Sequence, residues 1–77
     1  MGEFALYRNN KIKIDFPLPG VLGELVQEAD EFYEKDDWFW YDMRCSDIEA
    51  KTKQYLISGA ITQKEFELIW ERYGISY

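Results

Sequence analysis

The chain has 77 residues, a net charge of −6, one cysteine and no histidine. A chain of this length is expected to form one domain, spanning residues 1–77, with a small hydrophobic core. An internal disulfide cannot form with Cys45 alone, and without histidine a zinc site would need an unusual set of ligands. The same absence excludes a Ser-His-Asp hydrolase. Aromatic residues, 18% of the chain, must therefore supply much of the core.

Three features of the sequence predict a cytoplasmic protein. A lone cysteine is typical of a reducing compartment. No apolar run approaches the roughly 20 residues that span a bilayer. The N-terminus lacks the basic and apolar segments of a signal peptide. We therefore expect no membrane partner.

The negative charge is concentrated in one part of the chain. Residues 21–50 have a net charge of −8, whereas residues 1–20 and 51–77 each have a net charge of +1. Proteins that bind nucleic acids neutralise phosphates with clustered lysine and arginine, and no such cluster exists here. Direct binding to DNA or RNA is therefore disfavoured.

The alternating polar and apolar residues from Lys11 to Phe16 are typical of a β-strand. Asn9 and Asn10 can occupy the two positive-φ positions of a type I′ turn, which predicts a two-stranded hairpin over residues 4–16. Pro17 and the residues that follow it end the second strand, because proline lacks a backbone donor.

Helical spacing of apolar residues predicts three helices, over residues 21–35, 38–58 and 63–73. Either Asp36 or Asp37 can cap the second helix, and Gly59 suits its C-terminal end. The third helix begins with a capping box formed by Thr62 and Glu65. It is followed by Gly74 and Ile75, which can close a Schellman motif. The predicted fold class is α+β, with an N-terminal two-stranded β-hairpin packed on three α-helices in the order ββααα.

The reactive side chains do not form a catalytic set. Cys45 lies in the apolar seam of the second helix with no histidine to activate it, so a small core residue is the simpler interpretation. Acids spaced along an exposed helix are usually solvated rather than catalytic. No glycine-rich phosphate loop or calcium-loop pattern is present. The sequence therefore predicts a non-enzymatic protein with no cofactor and no metal.

The run from Trp38 to Tyr41 is the most unusual feature of the sequence, because successive residues of a helix turn by about 100° and four rings cannot all face inward. Either two sides of the helix are buried, or Phe39 and Trp40 are exposed and form a binding patch. The candidate partner-binding residues are the two rings and the acids near them: Phe39, Trp40, Glu28, Glu31, Asp36 and Asp37.

Two segments of the sequence resemble known groups of proteins. The stretch Ser58-Gly59-Ala60-Ile61-Thr62, followed by Glu65-Phe66, is similar to the short C-terminal helical hairpin of many bacterial proteins, although the lysine-rich last helix of that family is missing. A combination of five short segments resembles small uncharacterised proteins of Gram-positive conjugative or phage-like elements. The segments are Asp15-Phe16-Pro17, Asp37-Trp38-Phe39, Glu49 to Tyr55, Glu67-Leu68-Ile69 and Tyr73-Gly74-Ile75. The second resemblance implies a bacterial accessory gene and no established activity.

The leading hypothesis is a non-enzymatic protein-interaction module that binds a protein partner or a second copy of itself. The alternative is a nucleic-acid-associated regulator, or an acidic mimic of DNA that inhibits a DNA-binding protein. A lone acidic block fits the mimic only loosely.

Overall fold

The computed structural model describes residues 7–75. In this part of the chain there are three helices and no strand: α1 (Leu22–Glu34), α2 (Trp38–Ser58) and α3 (Gln63–Tyr73). Each helix begins and ends within one residue of its predicted bounds. The described fold is all-α, so the predicted α+β class is wrong.

The hairpin predicted over residues 4–16 is the source of that error. Residues 4–6 lie outside the described part of the chain, and residues 7–21 contain no strand. Neither Asn9 nor Asn10 has the positive φ that a type I′ turn requires. Instead, Asn9 accepts hydrogen bonds from the N–H of Lys11 through its side chain and from the N–H of Ile12 through its carbonyl, both at 3.1 Å. This asparagine turn starts one residue later than the predicted turn.

Residues of α2 and α3 form hydrogen bonds with the backbone of the N-terminal segment, which was predicted to pair with itself as a hairpin. The N–H of Asn9 donates to the carbonyl of Arg72, 2.7 Å away, in the last turn of α3. The guanidinium of Arg72 donates to the carbonyl of Ile12, and the hydroxyl of Tyr41 donates to the carbonyl of Tyr7. Because the last carbonyls of a helix lack partners within it, α3 gains from this contact as well.

The core lies between α2 and its two neighbours, α1 and α3, both of which it contacts. The predicted apolar stripes supply most of its side chains, with Ile61 added from the turn before α3. The buried residues are Leu22, Val26, Ala29, Tyr41, Ile48, Thr52, Ile61, Phe66, Ile69, Trp70 and Tyr73. Ile14, Phe16 and Leu18 of the N-terminal segment pack against this core from outside.

Most of the predicted helix ends are confirmed. Thr62 and Glu65 form the reciprocal capping box, with hydrogen bonds of 3.1 and 2.9 Å. Gly59 ends α2 in the left-handed conformation, at φ 83°. The N–H of Ile75 donates to the carbonyl of Trp70 at 2.9 Å, as a Schellman motif requires.

The junction between α1 and α2 differs from the prediction. Asp37 occupies the position before α2, but its side chain makes no capping hydrogen bond. Asp36 instead ends α1: it adopts φ 58°, the only positive φ at a non-glycine residue among those described. The N–H groups of Asp36 and Asp37 bond to the carbonyls of Tyr33 and Phe32 at 3.1 and 2.9 Å. These two bonds form a Schellman motif, with an aspartate where glycine is usual.

Candidate functional site

Three consecutive aromatic residues at the start of α2 are exposed to solvent. Trp38 retains 45% of its accessible surface, Phe39 49% and Trp40 44%. Met43, one turn further along the helix, retains 44%. We refer to Trp38, Phe39, Trp40 and Met43 as the aromatic surface. Of the two alternatives left open by the sequence, the structure shows the exposed one for Phe39 and Trp40.

The rings of the aromatic surface support one another. Trp38 meets Phe39 edge to face with ring centroids 6.1 Å apart, and Phe39 meets Trp40 in the same way at 5.2 Å. Trp40 in turn stacks on Phe32 of α1, at 6.3 Å and an interplanar angle of 28°. Aromatic pairs of this kind stabilise one relative arrangement of the rings by about 0.5–1.5 kcal/mol. The surface is therefore preorganised rather than a set of independent side chains.

Arg44 flanks the aromatic surface and is held in place by acids. Its guanidinium lies 5.9 Å from the centre of the Trp40 ring and forms ion pairs with Glu28 at 2.8 Å and Asp47 at 3.0 Å. Glu28 was predicted as a partner-binding residue, and the structure places its carboxylate against this arginine. Because 48% of the Glu28 side chain is exposed beside this ion pair, its role in partner binding stays a prediction.

The other predicted acids lie in two different places. Asp36 and Asp37 form the junction that immediately precedes Trp38, and Asp42 is exposed one turn beyond it. Within residues 7–75, none of these three carboxylates has a cation within 4.0 Å. Glu31 lies apart from them, because it lines a groove between α1 and the N-terminal segment. Asp36 and Asp37 thus precede Phe39 and Trp40 by two to four residues, whereas Glu31 lines the groove beside the N-terminal segment.

The sequence analysis named Phe39 and Trp40 as the rings that could be exposed and left out Trp38 and Met43. Trp38 lines the groove between α2 and α3 together with Tyr41 and Cys45, and 45% of its surface stays exposed there. The position of Trp38 at the first residue of the helix is the signal that could have revealed its exposure. Met43 lies three and four residues beyond Trp40 and Phe39, the spacing that places side chains on the same face of a helix.

A second polar cluster, also missed, joins the N-terminal segment to α1 and α3. Asp30 accepts a hydrogen bond of 2.8 Å from the hydroxyl of Tyr73 and forms ion pairs with Arg72 at 3.2 Å and Arg8 at 3.3 Å. The guanidinium of Arg8 also lies 4.2 Å from the centre of the Tyr33 ring. These residues are far apart in sequence and follow no local pattern. We refer to Asp30, Arg8, Arg72 and Tyr73 as the clamp at Asp30, because their bonds hold the N-terminal segment against α1 and α3.

A groove of about 790 Å³ lies between α2 and α3 and contains the only cysteine. Burial raises the pKa of the Cys45 thiol to about 11. Burial also raises the pKa values of Tyr41 and Tyr73, which line the same groove, above the ordinary value of a tyrosine. All three groups therefore remain protonated near neutral pH, and Cys45 is a poor nucleophile there.

Among residues 7–75, no group of three or more His, Cys, Asp or Glu side chains is placed to hold a metal ion. None of the helices described is both long and apolar enough to cross a bilayer.

The fold and the site define a small three-helix domain with an exposed, preorganised aromatic surface flanked by carboxylates. No protein family, curated protein or solved structure matches the chain. The two resemblances drawn from its sequence therefore stay predictions.

Proposed function

We propose that this chain is a non-enzymatic protein-interaction module that binds a basic, partly apolar segment of another protein through its aromatic surface. The observation that carries the proposal is the exposure of Trp38, Phe39 and Trp40, each at 44–49%, in one connected group of rings. Tryptophan and tyrosine are the residues most enriched at the energetic centres of interfaces. Contiguous exposed apolar patches rimmed by polar residues mark interaction sites on soluble proteins.

The charge around the aromatic surface favours a basic partner. Asp36, Asp37 and Asp42 have no ion-pair partner among residues 7–75, so a lysine or arginine of a partner would meet unneutralised carboxylates. Two copies that met face to face through this surface would bring the same carboxylates together, and like charges at an interface are costly. A different protein is therefore a better occupant of this surface than a second copy.

The state of the arginines supports a protein partner over a nucleic acid. All three arginines of the chain, Arg8, Arg44 and Arg72, form ion pairs with acids of the same chain. A phosphate backbone would have to compete with those acids. The same ion pairs engage Glu28, Asp30, Glu34 and Asp47, which reduces the acidic surface that an imitation of DNA would present.

The cytoplasm of a bacterium, with the gene on a mobile element, is the setting that we propose from the lone cysteine and the resemblance described above. In that setting the partner is another cytoplasmic protein with an exposed basic segment.

Site-specific cross-linking tests the proposed function. A photoreactive amino acid replaces Phe39 in one variant and Ile57 in the other, and both are activated in cells of the source organism. Ile57 is the matched control, because it is apolar and 86% exposed but lies at the far end of α2. We expect one protein to cross-link through position 39 and not through position 57. Equal products at both positions would contradict the proposal.

The affinity of the cross-linked protein for the unmodified chain then provides the decisive measurement. Substitution of a hot-spot aromatic residue costs about 2 kcal/mol or more, which corresponds to roughly 30-fold in the dissociation constant. We expect this loss for Trp40→Ala and Phe39→Ser, and no change for Ile57→Ser. Unchanged affinity in both aromatic variants, with their thermal unfolding unaltered, would exclude the aromatic surface as the binding site.

A further inference from the structure

The segment from Lys11 to Phe16 has the side-chain pattern of a β-strand but no strand beside it. Its residues alternate strictly between exposed positions, at Lys11, Lys13 and Asp15, and half-buried positions, at Ile12, Ile14 and Phe16. Ile14 and Phe16 pack against the core. The segment is therefore held on the helices by one face, as an edge strand is, while its other face is in solvent.

The backbone of this segment is only partly satisfied within the described chain. The N–H and C=O of Ile12 bond to Asn9 and Arg72, respectively. The N–H and C=O groups of residues 13–16 have no partner among residues 7–75. In a strand, the N–H and C=O of one residue point to the same edge, and those of the next residue point to the opposite edge. When the segment pairs as a strand, the groups of Lys13 and Asp15 therefore share one edge, and those of Ile14 share the opposite edge with Ile12.

A strand with such an edge pairs readily with another strand. Arg72, which bonds to the C=O of Ile12, lines a groove of about 990 Å³ between the segment and α1, so this groove lies beside the edge that Ile12 faces. The edge of Lys13 and Asp15 is therefore the one left for a second strand.

The sequence of the segment is complementary to itself when it is read in the antiparallel direction. With Ile14 opposite Ile14 of a second copy, Lys13 lies opposite Asp15 of that copy, and Asp15 opposite its Lys13. In the same register Ile12 faces Phe16 on the apolar side. Opposite charges and apolar pairs directly across strands both stabilise a sheet. A parallel pairing in register would instead place like charges opposite one another.

The same register uses the unpartnered backbone groups. Let the two Ile14 residues face each other on the twofold axis as a non-hydrogen-bonded pair. Lys13 of each copy then forms a hydrogen-bonded pair with Asp15 of the other copy. In each copy, the N–H and C=O groups of Lys13 and Asp15 all find partners. The bonds of Ile12 to Asn9 and Arg72 remain intact, because its groups point to the other edge. Pro17 has no N–H and ends the pairing there.

We infer that two copies of this chain associate through their Lys11–Phe16 segments as a two-stranded antiparallel ribbon centred on Ile14. This contact is separate from the aromatic surface, so either can exist without the other. Its chemistry is that of edge-strand addition, with main-chain hydrogen bonds for affinity and the Lys13–Asp15 pairs for register.

Charge reversal tests the ribbon by sedimentation velocity over a range of protein concentrations. Lys13→Asp and Asp15→Lys each place like charges opposite one another twice, and we expect each to raise the dimer dissociation constant by roughly tenfold. The double variant restores both pairs with the signs exchanged, and we expect it to dimerise like the unsubstituted chain. Lys64→Glu, at an exposed lysine of α3, controls for net charge.

A disulfide trap reports the register itself. Directly opposite residues of a non-hydrogen-bonded pair have Cα atoms about 4.5 Å apart, within reach of a disulfide. In a Cys45→Ala background, we expect Ile14→Cys to form a covalent dimer under mild oxidation much faster than Lys64→Cys. The inference is overturned if the unsubstituted chain is monomeric at high micromolar concentration. It is also overturned if the double charge variant fails to recover, or if dimerisation is lost in Trp40→Ala and retained in Lys13→Asp.

Discussion

The indole N–H of Trp70 donates a hydrogen bond of 2.6 Å to the hydroxyl of Thr52, in the centre of the contact between α3 and α2. Both residues are almost fully buried, at 2% and 0% exposure. The same hydroxyl donates to the carbonyl of Ile48 at 2.7 Å, so it acts as donor and acceptor at once. The bond therefore fixes the register between the two helices in a core whose other buried side chains are aliphatic or aromatic.

Replacement of Thr52 by valine keeps the shape of the side chain and removes this hydroxyl. We expect Thr52→Val to lower the free energy of unfolding by about 1–3 kcal/mol, because a buried donor loses its acceptor. Thr52→Ser keeps the hydroxyl and loses one methyl group, so it is the matched control, with an expected cost of about 1 kcal/mol. Urea denaturation followed by tryptophan fluorescence measures both. A valine variant as stable as the original chain would show that the hydrogen bond contributes nothing.

The clamp at Asp30 leads to a second prediction about stability. Asp30→Asn weakens two ion pairs and the bond from Tyr73, while Arg8 and Arg72 remain about nine-tenths buried. Since Asp30 itself is 31% exposed, we expect a loss of about 1–2 kcal/mol rather than the larger cost of a fully buried pair. Glu34→Gln removes a pair whose acid is 67% exposed, with an expected change below about 0.5 kcal/mol. Urea denaturation at low and high salt measures the free energy of unfolding of both variants. Equal losses in Asp30→Asn and Glu34→Gln would contradict the prediction.

The three helices could be predicted from the sequence because their signals are local. Apolar spacing sets the buried stripe of each helix, and Thr62 with Glu65 defines the start of α3 through bonds that need no tertiary contact. The capping glycines are equally local. These features place both ends of each helix to within one residue.

The hairpin could not be rejected from the sequence for the opposite reason. Lys11 to Phe16 does have strand periodicity, and an asparagine pair is compatible with more than one turn. What decides the outcome is the bonding of Asn9 and Ile12 to Arg72, some 60 residues away in the chain. A contact over that separation has no signature in the local pattern. The same limitation hid the clamp at Asp30.

The sequence identified some residues of the candidate site. The features that it missed depend on contacts between helices. The aromatic run identified Phe39 and Trp40, but whether they are exposed depends on where α1 ends, and α1 ends at the Schellman motif of Asp36. Glu28 was chosen for its charge alone. Its pairing with Arg44 across two helices could not be read from either sequence segment.

Asp36 itself provides a third prediction, because an aspartate at φ 58° is strained. Glycine adopts this conformation without a steric cost, so we expect Asp36→Gly to raise the free energy of unfolding by up to about 1 kcal/mol. Gly59→Ala makes the reverse change at φ 83°, where no atom would meet the added Cβ within 4 Å, and we expect it to destabilise the chain by about the same amount. Thermal unfolding of the two variants tests the pair. A decrease in stability for Asp36→Gly would indicate that its carboxylate has a stabilising role that outweighs the strain.

The thiol of Cys45 provides the last prediction, which concerns pH. Burial raises its pKa from 9.0 to about 11, so folding favours the protonated form. The stability that this shift contributes is fully present below pH 9 and is lost as the pH rises from 9 to about 11, since the unfolded chain ionises first. The rate of alkylation by iodoacetamide follows the thiolate, and we expect its midpoint near pH 11 in the folded protein. The urea-unfolded chain is the control, with an expected midpoint near 9. A midpoint near 9 in the folded protein as well would show that the thiol is solvated and that the groove between α2 and α3 is open to water at Cys45.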